Sequence, residues 1–259
     1  MRGQQLTAEE RERYSRQMLL AGVGEAGQRK LLAAKILIIG AGGLGSPAAM
    51  YLAAAGIGEI GIVDDDRIDL SNLQRQIAHQ TEDVGTLKAD SMAATLAALN
   101  PDVRIRTYHE RIGADNIAGL IGDQDYDFIL DCTDNFPGKF LINDTCVRLQ
   151  KPFSHAGITG FSGQLMTVVP GKGPCYRCIF EDAPKEGTVP TSREVGVLGA
   201  AVGIIGALQA SEAIKYLLGL GELLVGRMLI YDALMQKFRT VKLPERNANC
   251  TACCEEVRA

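Results

Sequence analysis

The chain of 259 residues is long enough for one large domain with a substantial core. Apolar residues form 46% and charged residues 22% of it, and the net charge of -4 offers no basic field for a nucleic-acid backbone. No charge-free apolar run of about 18 residues reads as a membrane span, and the opening MRGQQLTAEERER lacks the apolar stretch of a signal peptide. A cytoplasmic protein with neither nucleic acid nor membrane as partner is expected, its seven cysteines not paired as disulfides.

In chain order, Thr7-Ala8-Glu9-Glu10 is a capping box, in which hydroxyl and carboxylate satisfy free amides reciprocally, and it opens a helix running to about Ala21. A second helix is expected over about 24–33. Lys35 to Ile39 is a short apolar run suited to a strand covered on both faces. It ends in Gly40-Ala-Gly-Gly-Leu-Gly45, and a helix to about Gly56 follows. Strands are then expected at 59–63, 103–108 and 126–131, with helices at about 86–99, 114–120 and 136–150. This alternation predicts a Rossmann-like, doubly wound, mostly parallel sheet. Residues 152–169 read as two extended segments, and 170–193, rich in Gly, Pro and charge, as a functional or mobile loop. Val195 to Ala210 belongs to a buried helix over about 197–219, and two strands at 227–242 precede a cysteine-bearing tail. The whole, 1–259, is expected to be one domain. Its parts are N-terminal helices (1–33), a nucleotide-binding core (34–169), a hook and crossover loop (170–195), and a helix, strands and second hook (196–259).

Gly40, Gly42 and Gly45 fit G-x-G-x-x-G between a strand and a helix, the context that gives this loose pattern meaning. Glycines let the backbone approach phosphates, and the helix N-terminus offers free amides and a positive dipole end. Asp64 closes the next strand, where a carboxylate can accept from ribose hydroxyls. No Lys-Ser or Lys-Thr ends the loop, so a Walker loop is not indicated. An NAD-dependent oxidoreductase fits these features. The charges point elsewhere: Asp64, Asp65, Asp66 and Asp69 crowd one turn, and Arg75 and Lys88 follow. A carboxylate attacking ATP meets a second anion, and Arg, Lys and a magnesium ion held by Asp would relieve that repulsion.

The string Asp64-Asp-Asp-Arg-Ile-Asp-Leu-Ser-Asn-Leu-Gln-Arg-Gln76 resembles a signature of the ubiquitin-activating superfamily, as do Arg13-Tyr-Ser-Arg-Gln17 and Asp131-Cys-Thr-Asp-Asn135. Within it the chain looks most like the MoeB/ThiF/HesA adenylyltransferases. The resemblance implies ATP-dependent adenylation of the C-terminal glycine of a ubiquitin-like sulfur carrier ending in Gly-Gly, MoaD- or ThiS-like, for molybdopterin or thiamine biosynthesis. It places Gly40, Gly42, Gly43 and Gly45 beneath the nucleotide, Asp64 on the ribose, and Asn72, Arg75 and Lys88 on the phosphates. Asp66, Gln76 and Asn135 complete the nucleotide site, and Asp134 would bind magnesium. Arg16 would be an arginine finger reaching a neighbouring subunit's site, which makes a homodimer part of catalysis. The catalytic set is then Arg16, Arg75, Lys88 and Asp134. No general base is needed, because the carboxylate is already ionised at neutral pH, and His79, His109 and His155 are read as structural.

Cys175-Tyr-Arg-Cys178 and Cys250-Thr-Ala-Cys253 offer two C-x-x-C hooks, enough for a closed, four-sulfur structural zinc site, and the family carries hooks at matching places. A redox C-x-x-C is the alternative; neither hook is expected to open a helix after a strand. Cys254 leaves the fourth ligand ambiguous, while Cys132 and Cys146 are expected in the core. Many relatives carry a crossover-loop cysteine where Ser192 stands, and a hydroxyl cannot form a persulfide or thioester. Ser192 is either native to an adenylation-only enzyme or an introduced replacement of cysteine. A zinc-containing binding module that docks a ubiquitin-like partner without turnover is a further reading. With the sequence ending at residue 259, no C-terminal rhodanese-like domain is expected, and a separate protein is expected to supply sulfur.

Overall fold

In a computed structural model, residues 5–185, 188 and 192–254 are described. The helical elements are α1 (Ala8–Arg13), α2 (Ser15–Met18), α3 (Gly24–Ala33), α4 (Gly45–Ala54), α5 (Lys88–Leu99), α6 (Ile117–Gly122), α7 (Phe136–Arg148), α8 (Tyr176–Ile179), α9 (Ser192–Val195) and α10 (Gly199–Leu218). The strands are β1 (Lys35–Ile39), β2 (Glu59–Val63), β3 (Arg104–Tyr108), β4 (Phe128–Asp131), β5 (Phe153–Thr159), β6 (Ser162–Val168), β7 (Arg227–Asp232) and β8 (Lys237–Lys242).

They form one sheet in the order β3-β2-β1-β4-β5-β6-β7-β8. From β3 to β5 every pair is parallel, and from β5 to β8 every pair is antiparallel. Strand order reverses between β1 and β4, the topological switch point where open α/β sheets receive ligands.

The strand runs are apolar without alternation because both faces are covered. Ile36 and Ile38 of β1 join one core cluster, with α4, α5 and α10 residues such as Leu52, Met92 and Ile205. Leu37 and Ile39 join the other, with Ile121 of α6 and Phe140 and Cys146 of α7. The α10 helix packs on α4, β5 and β6. Among the described residues it alone is long and apolar enough to cross a membrane, and half of its apolar stretch is buried in the protein.

The expected N-terminal helix is broken in two. The capping box forms, with the Thr7 hydroxyl accepting from Glu10 N at 3.1 Å and the Glu10 carboxylate from Thr7 N at 2.7 Å. The helix then stops at Tyr14, whose buried ring fills the place a side chain at Gly56 would take and whose hydroxyl accepts from Asn100 at 2.9 Å. Burying the ring outweighs continuing the helix. Within 170–193 the described residues include helical turns where a loop is expected: Cys175 is the N-cap of α8, and α9 begins at Ser192.

Candidate functional site

The carboxyl ends of β1, β2 and β4 lie at one level, since Ile39 pairs with both Val63 and Asp131. Three turns therefore open side by side: the glycine loop, the acidic turn after Val63, and the turn through Thr133 to Asn135. Gly40 has φ +105°, and a Cβ there would meet the Cys132 carbonyl at 2.7 Å. A Cβ on Gly45 would sit 2.0 Å from the Gly40 carbonyl, so the loop closes this tightly only with glycine at both ends. Gly42 is open apart from the Gln76 amide, while Gly43 lies against Arg75 and Val202.

Asp64 braces this loop. One carboxylate oxygen accepts from Ala41 N at 2.7 Å and the other from Asp66 N at 2.9 Å. Burial raises the Asp64 pKa against the pull of Lys88 and these amides. The buried Lys88 side chain reaches Asp66 at 2.6 Å from the first turn of α5. Asp64, Asp65 and Asp66 can each bring one oxygen within 4.8 Å of the others. Arg75 is half-buried beside Gly43, its guanidinium donating to the Ser71 carbonyl at 3.1 Å. Gln76 is buried with its side-chain oxygen unpartnered, next to Gly42. Asn72 is committed locally, accepting from Asp69 N at 3.1 Å.

Asp134 is exposed in the turn after β4 and stands outside the Asp64–Asp66 group. Asn135 is the N-cap of α7, accepting from Gly138 N at 2.9 Å. Arg16 is exposed on α2, and no described contact brings it to the glycine loop. The side chain of Ser192 lies outside the described residues; only its backbone, in α9, is described.

The second cluster is closed. Sγ–Sγ separations are 3.8 Å for Cys175–Cys178, 3.6 Å for Cys175–Cys250 and 3.4 Å for Cys178–Cys253. Four sulfurs about 2.3 Å from a tetrahedral zinc would lie about 3.8 Å apart, so the donor set fits the ion. Cys254 is not in the group, which makes Cys253 the fourth sulfur. Burial raises the Cys175 thiol and pushes Cys253 up to about 11, whereas against burial the amides of Cys253 and Ala252 draw Cys250 down. Such sulfurs ionise together only with a cation among them. Contrary to expectation the first hook does open a one-turn helix, but its two sulfurs face the second hook across the cluster rather than solvent. Cys132 and Cys146 are buried with raised thiol pKa values, as core cysteines should be.

Behind these turns stand residues marked in the sequence only one by one, His79 and His155 as structural histidines and Asp131 as the first residue of the Asp131–Asn135 motif, with Ser91 and Lys139 unmarked. The His79 ring bridges the Ala41 carbonyl and the Ser91 hydroxyl, each at 2.9 Å, and so fixes the back of the glycine loop. Asp131, Lys139 and His155 form a buried polar triad beneath Thr133. Their signal was faint: lone polar residues within apolar runs.

Residues 14–252 match the model of the ThiF family. The chain is 47% identical to the SAMP-activating enzyme E1 of Haloferax volcanii over 96% of this chain and 91% of that one. It is 44% identical to the sulfur carrier protein adenylyltransferase of Thermus thermophilus, over 96% and 93%. Among solved structures it resembles E. coli MccB with ATP, at a TM-score of 0.82 and 25% identity, covering 96% of this chain and 76% of that chain.

Proposed function

The chain belongs to the ThiF family, and we propose that it is an adenylyltransferase using ATP to activate the C-terminal glycine of a ubiquitin-like sulfur carrier. The observation that carries this reading is the convergence, at the switch point, of a glycine loop, a ribose-type carboxylate at Asp64 and the two cations Arg75 and Lys88. The relatives described above support it, being named for activation and adenylation rather than hydride transfer.

The carrier carboxylate attacks the α-phosphorus of ATP. A carboxyl oxygen–phosphorus bond forms as the bond to the bridging oxygen breaks, and the electron pair leaves with pyrophosphate. Asp64 orients the ribose while its own geometry is set by Ala41 N and Asp66 N. Lys88, held in place by Asp66, and Arg75 offset charge on the phosphates. Gln76, with a free buried acceptor beside Gly42, lines the nucleotide. Asp134, in the turn after β4, would hold magnesium, which would supply further positive charge to phosphate oxygens, with Asp66 on the nucleotide side of the neighbouring turn. Arg16 would act on the active site of a second copy, in a homodimer. Zinc would join the hooks Cys175/Cys178 and Cys250/Cys253 and pin the tail. Because the nucleophile belongs to the carrier, this step needs no thiol at position 192.

The test is ATP–pyrophosphate exchange. We expect exchange that appears only with a carrier ending in Gly-Gly and vanishes when the last glycine is removed. Exchange independent of any carrier, or none with several, would overturn the proposal. If a Lys88→Ala chain still performed its full role, the non-catalytic binding module would be favoured.

A further inference from the structure

Directly beneath the turn that presents Asp134 lies a carboxylate that reaches no solvent. Asp131 ends β4 and is fully buried. One of its oxygens accepts twice from Thr133, from the amide at 3.1 Å and the hydroxyl at 2.6 Å. The other accepts from the His155 ring at 2.8 Å and faces the Lys139 ammonium at 3.4 Å. Lys139 is anchored on its far side by the Ala156 carbonyl at 2.7 Å, and Gln209 of α10 holds the Asp131 carbonyl at 3.0 Å. Burial and the Lys139 charge lower the His155 pKa against the opposing pull of Asp131, and its Nδ1 lies toward that carboxylate, which can only accept.

A buried ion pair of this kind contributes little net stability, because desolvating both partners offsets their attraction. What it does provide is direction. The carboxylate is fixed by four donors, and two of those donors belong to the turn residue immediately before Asp134. We propose that Asp131, backed by Lys139 and His155, is a positioning residue: through Thr133 it fixes the turn so that the Asp134 carboxylate is preset for the divalent cation of the nucleotide. It touches neither nucleotide nor cation. The proposal rests on the reading above that Asp134 receives that cation.

The experiment uses manganese as the probe, titrated by electron paramagnetic resonance into the full chain with a non-hydrolysable ATP analogue. Thr133→Val removes the hydroxyl link while leaving the buried pair intact, and Thr133→Ser restores it. We expect Thr133→Val to weaken manganese binding about tenfold, the loss typical of a group that orients a metal ligand. Thr133→Ser should bind as the wild type does, and zinc content and thermal midpoint should be unchanged in both. Asp131→Asn should weaken manganese binding further; if that variant fails to fold, the Thr133 pair still decides. Wild-type manganese affinity in Thr133→Val overturns the proposal, as does a loss that Thr133→Ser does not restore. Wild-type chain that binds the manganese nucleotide but shows no carrier-dependent exchange sinks the proposed function instead, and the Thr133 comparison remains readable.

Discussion

The two ligand-type clusters of this molecule are built in opposite ways. At the hooks, residues far apart in sequence meet in a buried, four-sulfur group with every donor turned inward. At the mouth of β1, β2 and β4, residues from consecutive short turns stand open, with Asp65, Asp66 and Asp134 exposed and only the supports behind them buried. A closed shell leaves no position for a reactant, so its contribution is stability. An open one keeps its charges available, and its precision has to come from the second row: Asp64 on Ala41, His79 on the glycine loop, Asp131 on Thr133.

The largest effect should break the closed cluster. Cys178→Ser should lose zinc and free the C-terminal tail, lowering the thermal midpoint by roughly 10 °C, since structural zinc binding is folding free energy. Zinc analysis and a melt check this, and full zinc with an unchanged melt would contradict it. In the open cluster the effect should fall on rate instead. Lys88→Ala should cut carrier-dependent exchange by about a hundredfold or more with little change in melting, because the partner it abandons, Asp66, is exposed to water. A collapse in stability there would blur the contrast between the two regions.

Smaller effects test what the single chain leaves open. Arg16→Ala should reduce exchange by about tenfold or more through a lost charge-assisted contact. Mixing it with Lys88→Ala chains should recover activity, as each copy supplies what the other lacks; no recovery would argue against a shared site. The smallest concerns acid. Although burial opposes its ionisation, Lys139 and the His155 and Thr133 hydrogen bonds hold Asp131 at about 2, below the ordinary 3.8. Its folded pKa is depressed, so its stabilisation is complete above pH 3.8 and is lost as pH falls through that value toward about 2. Urea melts of Asp131→Asn should show a flatter acid limb than wild type in that window, and an unchanged slope would refute the assignment.

Much of the sheet was legible because buried parallel strands are short apolar runs and the glycine loop marks where β1 becomes α4. The antiparallel half was visible as extended segments, but its pairing was not, since nothing local in Ser162–Val168 says which strand it will lie beside. The break at Tyr14 escaped notice because the cause, Gly56 and Asn100, is remote in sequence. Similarly the hooks advertised zinc through spacing, whereas Cys253 over Cys254 was decided only by geometry. Exposed site residues came from motifs that are contiguous in the chain. Their buried supports were legible only singly: Asp131 opens one of those motifs and His155 reads as structural, but nothing in the sequence joins them to each other or to Lys139, since they come from β4, β5 and α7. Position in space made them a unit.

On the proposed function, the open cluster joins AMP to a carrier carboxylate. The most direct measurement is the intact mass of a Gly-Gly-ended carrier after rapid mixing with the chain, ATP and magnesium. We expect a carrier heavier by one adenylyl group, which hydroxylamine removes and which is absent with Lys88→Ala. A carrier that stays unmodified while the wild-type chain binds ATP and carrier together would contradict it.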